Sequence, residues 1–294
     1  MVGSAILQRL AAEDCDIIVA DKRDLDLRDQ NAVRGWMDQE QPDCVIIAAA
    51  KVGGILANST LPADFLFDNL AIATNVIDAA HRADVDRLLF LGSSCIYPKF
   101  ADQPIQEEAL LSGPLEPTNE WYAIAKIAGI KLAQSYRIQH GRDYISAMPT
   151  NLYGPGDNFD LSTSHVLPAL IAKAHAAKVN GDPELVVWGS GLPMREFLFS
   201  HDCADACVFL LKHYSGDMPL NLGYGSDISI HSLAEMVCQT VDYGGKIVYD
   251  LAKPDGTPKK LMSSERLNNL GWKPTTSLEL GIKTTYDWYL KNCT

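Results

Sequence analysis

Short, uninterrupted apolar runs alternate with longer segments of helical period over the first half of this chain, and that alternation leaves few folds open. The runs are Asp16 to Ala20 (DIIVA), Cys44 to Ala49 (CVIIAA), Arg87 to Ser93 (RLLFLGS) and Tyr144 to Met148 (YISAM). Helical segments are predicted at 4–13, about Asn31 to Gln39, Pro62 to Ala83 and Trp121 to His140. A strand that is apolar on both faces needs cover on both, which parallel strands joined by crossover helices supply. The pattern predicts an α/β fold with a doubly wound, Rossmann-type parallel sheet, and such sheets bind ligands at the carboxyl ends of their strands. Beyond about Tyr153 the elements shorten and Gly and Pro become frequent. Two lobes are expected. Residues 1–153 plus about 195–223 form a dinucleotide-binding domain, and about 154–194 plus 224–294 form a smaller α/β substrate domain.

Composition removes several functions. With 294 residues and a formal net charge of −12, the chain is a poor nucleic-acid binder, because such binding rests on neutralising phosphates. Any anionic ligand must meet a local basic cluster. No apolar run approaches the roughly 20 residues that span a bilayer. The seven cysteines are odd in number and include no Cys-x-x-Cys pair, which reads as reduced thiols in a cytoplasmic protein. Cys203 and Cys207 share a helix face without further ligands and read as core, so no metal site is expected.

The start departs from a standard dinucleotide fold, which opens with a strand and Gly-x-x-Gly-x-x-Gly. Here Met1-Val2-Gly3 leads straight into a helix, and Gly3 matches only the last glycine of such a loop. The interval from Gly3 to Asp21 fits the roughly 20 residues between a glycine loop and a ribose-binding acid. Asp21 suits the free 2′-hydroxyl of NAD, whereas Lys22 and Arg23 suit the 2′-phosphate of NADP. These residues alone leave both open.

Chemistry concentrates in two places. Tyr122 and Lys126 lie four residues apart in a helical run and so project from one face. An ammonium beside a phenol favours the phenolate, which would let the tyrosine trade protons near neutral pH. At the end of the strand Arg87 to Ser93, extended chain puts Ser93 and Cys95 on the same side. A Ser93 hydroxyl there can join Tyr122 on a substrate carbonyl oxygen. By residue type alone, Ser93 also suits a loop anchor, Cys95 a small core residue and His165 a helix cap.

Together these residues make the chain recognisable. Ala48 to Ile55 (AAAKVGGI), Gly92 to Pro98 (GSSCIYP), Pro117 to Lys126 (PTNEWYAIAK) and Pro149 to Pro155 (PTNLYGP) resemble the extended short-chain dehydrogenase/reductase family. So do Val187 to Gly191 (VWGSG), Met194 to Phe197 (MREF) and Lys253 to Lys260 (KPDGTPKK). The likeness covers essentially the whole chain and points to the family's GDP-sugar epimerase/reductases. It implies NADPH-dependent 3,5-epimerisation and 4-reduction of GDP-4-keto-6-deoxymannose by a homodimer packed through the long helices Pro62 to Ala83 and Trp121 to His140. Ser93, Tyr122 and Lys126 would stabilise the oxyanion and donate a proton, with Cys95 and His165 as the proton-transfer pair. The implied NADP(H) site comprises Gly3, Lys22, Asp26, Leu27, Ala48, Ala49, Ala50, Leu91, Gly92, Ser93, Ser94, Lys126, Pro149, Thr150, Asn151, Leu152 and His165. The implied substrate set is Lys173, Trp188, Arg195, Asp255 and Lys260. Two positions depart from the family's pattern. Trp121 stands where proline is common, and Ser263-Ser264 where an acidic residue is usual. A 4,6-dehydratase would need an Asp–Glu pair where Ser94-Cys95 stands, and a simple 4-epimerase needs no Cys/His pair. A non-catalytic chain is the reading that the incomplete glycine loop favours.

Overall fold

The structure, a computed structural model, is described over residues 1–253 and 255–294; the Lys253 to Lys260 turn therefore contains one residue, Pro254, outside the described residues. The first half runs α1 (Val2–Leu10), α2 (Gln30–Glu40), β1 (Cys44–Ile47), α3 (Ile55–Thr60), α4 (Pro62–Arg82), β2 (Arg87–Leu91), α5 (Glu120–His140) and β3 (Asp143–Pro149). It continues with β4 (Asn151–Tyr153), α6 (Val166–Asn180), β5 (Glu184–Trp188), β6 (Met194–Phe199), α7 (Ser200–His213) and β7 (Leu220–Leu222). The remainder is β8 (Asp227–Ser229), α8 (Ile230–Val241), β9 (Lys246–Asp250), β10 (Lys259–Lys260), α9 (Glu265–Asn269) and α10 (Leu278–Asn292).

Helix ends follow local chemistry. The Asp29 side chain caps α2 by accepting from the amides of Asn31 and Ala32. Pro62 opens α4, where its missing N–H goes unused. Gly141, at φ 69°, ends α5 in the left-handed region that favours glycine.

The parallel sheet has the order β1-β2-β3-β7. Leu88 and Phe90 of β2 face a core shared with α2, α4 and α5, while Leu89 and Leu91 face a second core with α1 and α7. Helix α5 lies close against β2 because position 129 is glycine. A Cβ there would stand 2.4 Å from Phe90 Cζ. A second sheet has the order β10-β6-β4, with β8 antiparallel to β6, and β5 pairs β9. Around it, Tyr153, Leu170, Phe197, Leu233 and Ile282 build a third core. All seven cysteines are free, with Cys203 and Cys207 buried in the α1–α7 layer.

One expected strand is absent. Asp16 to Ala20 forms no ladder, and Ile17, Ile18 and Val19 are 40%, 45% and 56% exposed. β1 is the last strand on that side of the sheet and pairs only with β2, so among the described residues the run has no strand partner. An apolar run becomes a strand only when a neighbour takes its N–H and C=O groups. β1 also stops at Ile47, leaving Ala48 and Ala49 beyond the ladder.

Candidate active site

The carboxyl ends of β1, β2 and β3 lie along one edge of the sheet, and the sequence-predicted residues gather there. After β2 the chain does not stay extended. Ser93 is the last extended residue before a single 3-10 turn, Ser94–Ile96. The turn brings Cys95 back onto Ser93, whose Oγ accepts from the Cys95 thiol at 3.2 Å and from the Cys95 amide at 3.4 Å. The pair therefore meets through the turn rather than through strand alternation.

Helix α5 presents Tyr122 and Lys126 to this turn. The Ser93 hydroxyl that holds the Cys95 thiol also stands close enough to Tyr122 to favour its phenolate, against the larger effect of burial. Lys126, only 4% exposed, donates from Nζ to Leu91 O at 2.7 Å. Its Nζ lies 4.8 Å from the Phe90 ring centre and 5.8 Å from that of Tyr122. Desolvation pulls the Lys126 pKa down to about 8. Burial pushes the Tyr122 pKa up, and the Cys95 charge adds to it, against the expectation of a phenol titrating near neutrality. Lys126 does not offset this, because its ammonium is directed to a carbonyl. Tyr122 is thus a proton-bearing phenol in this state.

His165 is the N-cap residue of α6, its side chain making no cap hydrogen bond. The loop before it is tied to the segment after β1, since Gly54 N donates to Thr163 O at 2.9 Å. A Cβ on Gly54 would stand 2.8 Å from Ser164 O, so the close approach requires glycine. The imidazole is exposed, yet the protein around it lowers its pKa by desolvation. Among the described residues it forms no hydrogen bond with Ser93, Cys95 or Tyr122.

Gly3 lies in the first turn of α1, with nothing within 4 Å of where a Cβ would stand and no acidic residue in that turn. Free first-turn amides of this kind suit a phosphate. Asp21 is engaged by Arg23 at 2.8 Å and Asp26 by Arg28 at 2.8 Å, each carboxyl held down to about 2 by its arginine. Lys22 makes no ion pair among the described residues. The Leu27 carbonyl accepts from Asn75 Nδ2. Leu91, Gly92 and Ser94 flank Ser93, and Pro149 ends β3. Thr150 Oγ1 and Asn151 Nδ2 both donate to Glu196 O, at 3.3 and 2.8 Å, and Leu152 pairs Leu198.

Of the implied nucleotide residues, Trp188 is half exposed between two cations, with Lys173 Nζ 4.9 Å and Lys253 Nζ 5.0 Å from its ring centre. Asp255 accepts from Ser190 N and Oγ, at 2.6 and 2.8 Å, so its carboxylate fixes the turn after β5. Arg195 sits in register with Lys260 across β6 and β10, and burial lowers the pKa of both.

Three buried polar residues went unnoticed in the sequence. Fully buried Glu196 accepts from the amides of Gly225 and Met262, at 2.8 and 3.2 Å. Asn221 accepts from Tyr97 Oη at 2.6 Å and donates to Ile105 O and Ser263 O. Glu107 accepts from Asn221 N at 3.1 Å and pairs with Arg266. The unusual Ser263-Ser264 pair joins this web, Ser264 Oγ accepting from Gly223 N at 3.1 Å. The only signal was a carboxylate inside the apolar strand MREFLF.

A parallel sheet carrying Ser93, Tyr122 and Lys126 on its carboxyl edge defines a Rossmann-type enzyme class. A family model described as "NAD dependent epimerase/dehydratase family" matches residues 1–223, and the chain belongs to that family. It is 62% identical to the GDP-L-fucose synthase of Sinorhizobium fredii, over 99% of this chain and 93% of that protein. It is 59% identical to GDP-L-fucose synthase 1 of Arabidopsis thaliana, over 99% and 91%. Among solved structures, a GDP-L-fucose synthetase from Naegleria fowleri bound to NADP superposes with a TM-score of 0.92 at 32% identity, over 99% and 90%.

Proposed function

We propose that this chain is an NADPH-dependent 3,5-epimerase/4-reductase that converts GDP-4-keto-6-deoxy-D-mannose to GDP-L-fucose. The observation that carries this reading is the Ser93 hydroxyl, which accepts from the Cys95 thiol at 3.2 Å and stands beside Tyr122. A proton carrier for C3 and C5 and a proton donor for O4 are thereby held beside one hydroxyl.

The C3 and C5 protons of the sugar are acidic because the C4 ketone can take up the electron pair. Cys95, as thiolate, removes a ring proton, and the C–H pair moves onto the C4 oxygen. Ser93 and Tyr122 hold that oxygen as it becomes negative. His165, fixed through Thr163 and Gly54, returns a proton from the opposite face. In the final step Tyr122 gives its proton to O4. Lys126 holds its charge near the phenol while Tyr122 is deprotonated, and solvent reprotonates the tyrosine.

The residues fit NADP(H). Open first-turn amides at Gly3 suit the diphosphate, and unpaired Lys22 suits a 2′-phosphate. The stretch Leu91 to Ser94, Ala48, Ala49, Lys126 and Pro149 to Leu152 would line the remainder. When bound, NADPH supplies the hydride for C4. Residues 1–153 plus about 195–223 would hold the cofactor, although β6 pairs with the second sheet. Residues 154–194 and 224–294 would hold GDP through Lys173, Trp188, Arg195, Asp255 and Lys260. Trp188 offers a face for the base, and the cations neutralise the diphosphate.

We place the enzyme in the cytoplasm. No described helix is long and apolar enough to cross a membrane. We propose a homodimer through α4 and α5. Phe67 on α4, and Trp121, Ile124 and Ile138 along one side of α5, are exposed apolar groups that a two-fold contact would cover.

The test is NADPH consumption with GDP-4-keto-6-deoxymannose as substrate. Stoichiometric oxidation with release of GDP-L-fucose is expected, and no oxidation by folded protein would reject the reading.

A further inference from the structure

Cys95 and Lys260 line one small cavity with Lys99, Glu116, Thr257 and Lys259. Three lysines therefore contribute to the lining, and two of them have carboxylate partners. Lys99 pairs with Glu116 at 2.9 Å, and Lys259 with Asp227 at 3.3 Å. Glu116 is also held by Thr257. Lys260 alone of the three forms no ion pair or hydrogen bond among the described residues. Its position is nonetheless fixed on both sides. β10 pairs with β6 through Lys260 and Arg195, while Leu261 N donates to Gln103 Oε1 at 2.7 Å and Met262 N to Glu196 Oε2 at 3.2 Å.

A desolvated, unpaired ammonium is unfavourable unless an anion completes it. The groups around it are Arg195 from β6, Glu116, already held by Lys99, and the Cys95 thiol. Around the thiol stand Ser93, Tyr122 and Lys126, with Lys126 directed to Leu91 O. We propose that Lys260 is the counter-charge of the Cys95 thiolate, acting through Cys95 to keep a buried thiol available as a base. In support, burial raises the thiol's pKa, and Lys260 is the strongest influence lowering it, ahead of Lys126. This role lies beyond diphosphate binding and deepens the assignment of Cys95 to proton transfer.

The test reads the thiol directly. The rate of Cys95 alkylation by iodoacetamide is followed against pH by peptide mass spectrometry, which separates Cys95 from the exposed Cys15, Cys44 and Cys293. Lys260→Met should slow alkylation at neutral pH by about tenfold, as a rise of one pKa unit would. Lys260→Arg should stay near wild type, and so should Lys99→Met, whose charge already faces Glu116. A reciprocal measurement leaves Lys260 in place. In Cys95→Ala, acetylation of Lys260 at pH 8 should quicken several-fold, because the amine has lost its anion. Unchanged thiol titration in folded Lys260→Met, or unchanged Lys260 acetylation in Cys95→Ala, would overturn the proposal. A purely diphosphate-binding Lys260 would instead raise KM and leave the thiol untouched. Both readouts are taken without sugar substrate, so they stand or fall separately from the epimerase reading.

Discussion

Burial keeps Tyr122 protonated, which suits the proton donor proposed for the site. A phenol that holds its proton until O4 becomes basic is a proton donor, so Tyr122→Phe should lower reduction by roughly a hundredfold to ten-thousandfold. Stopped-flow NADPH oxidation measures this, and a loss below tenfold would remove Tyr122 from the role. Lys126 gives a pH dependence. Its folded pKa, about 8, lies below that of a free lysine, so the ammonium is charged below pH 8 and neutral above it. kcat/KM for reduction should therefore fall as pH rises through about 8, and Lys126→Arg should move that limb upward. A profile flat to pH 9.5 would contradict it. At this scale much was legible. The four-residue spacing of Tyr122 and Lys126 and the Ser93-Ser94-Cys95 sequence at a strand end were enough to nominate the group. The tyrosine's pKa was not legible, since it depends on burial that spacing does not encode.

Elements hold these residues through contacts between distant parts of the chain. Asn221 joins the end of β7 to Tyr97, Ile105 and Ser263. Asn221→Ala strands a phenol and two carbonyls in the interior and should destabilise the protein by about 3 kcal/mol in urea unfolding. Gly129→Ala should cost about 1–3 kcal/mol, since the added methyl collides with Phe90, which also lies under Lys126. Gly54→Ala should likewise cost about 1–3 kcal/mol, because its Cβ would meet the Ser164 carbonyl, and should displace the Thr163–His165 loop. A slowing of solvent exchange at the sugar by about a hundredfold is expected, with NADPH affinity intact. These elements explain what the sequence hid. Alternating apolar runs revealed helices and most strands, because periodicity is local. Glu196, Asn221 and Glu107 were invisible because their partners lie tens of residues away. Asp16 to Ala20 misled for the same reason, as a strand also needs a neighbour that its own residues cannot announce.

On the scale of the whole molecule, the β10 residues Lys259 and Lys260 share a small cavity with Cys95 after β2, so the two sheets meet where proton transfer and reduction are proposed. The apolar groups exposed on α4 and α5 should make the protein twice the 32.2 kDa chain mass in light scattering, with Ile138→Asp shifting it toward monomer. The break in the apolar alternation near Tyr153 was legible, but the pairing of β6 with β4, β8 and β10 was not. In the proposed reaction Cys95 and Tyr122 serve successive steps on the same substrate. The direct measurement is turnover of GDP-4-keto-6-deoxymannose with NADPH in D2O, with the product read by NMR. Wild-type protein should yield GDP-L-fucose carrying solvent deuterium at C3 and C5. Folded Cys95→Ala should lose that incorporation, and Tyr122→Phe should still exchange, more slowly for want of one oxyanion donor, while failing to oxidise NADPH. Deuterium entering both carbons at the normal rate in Cys95→Ala would contradict the account.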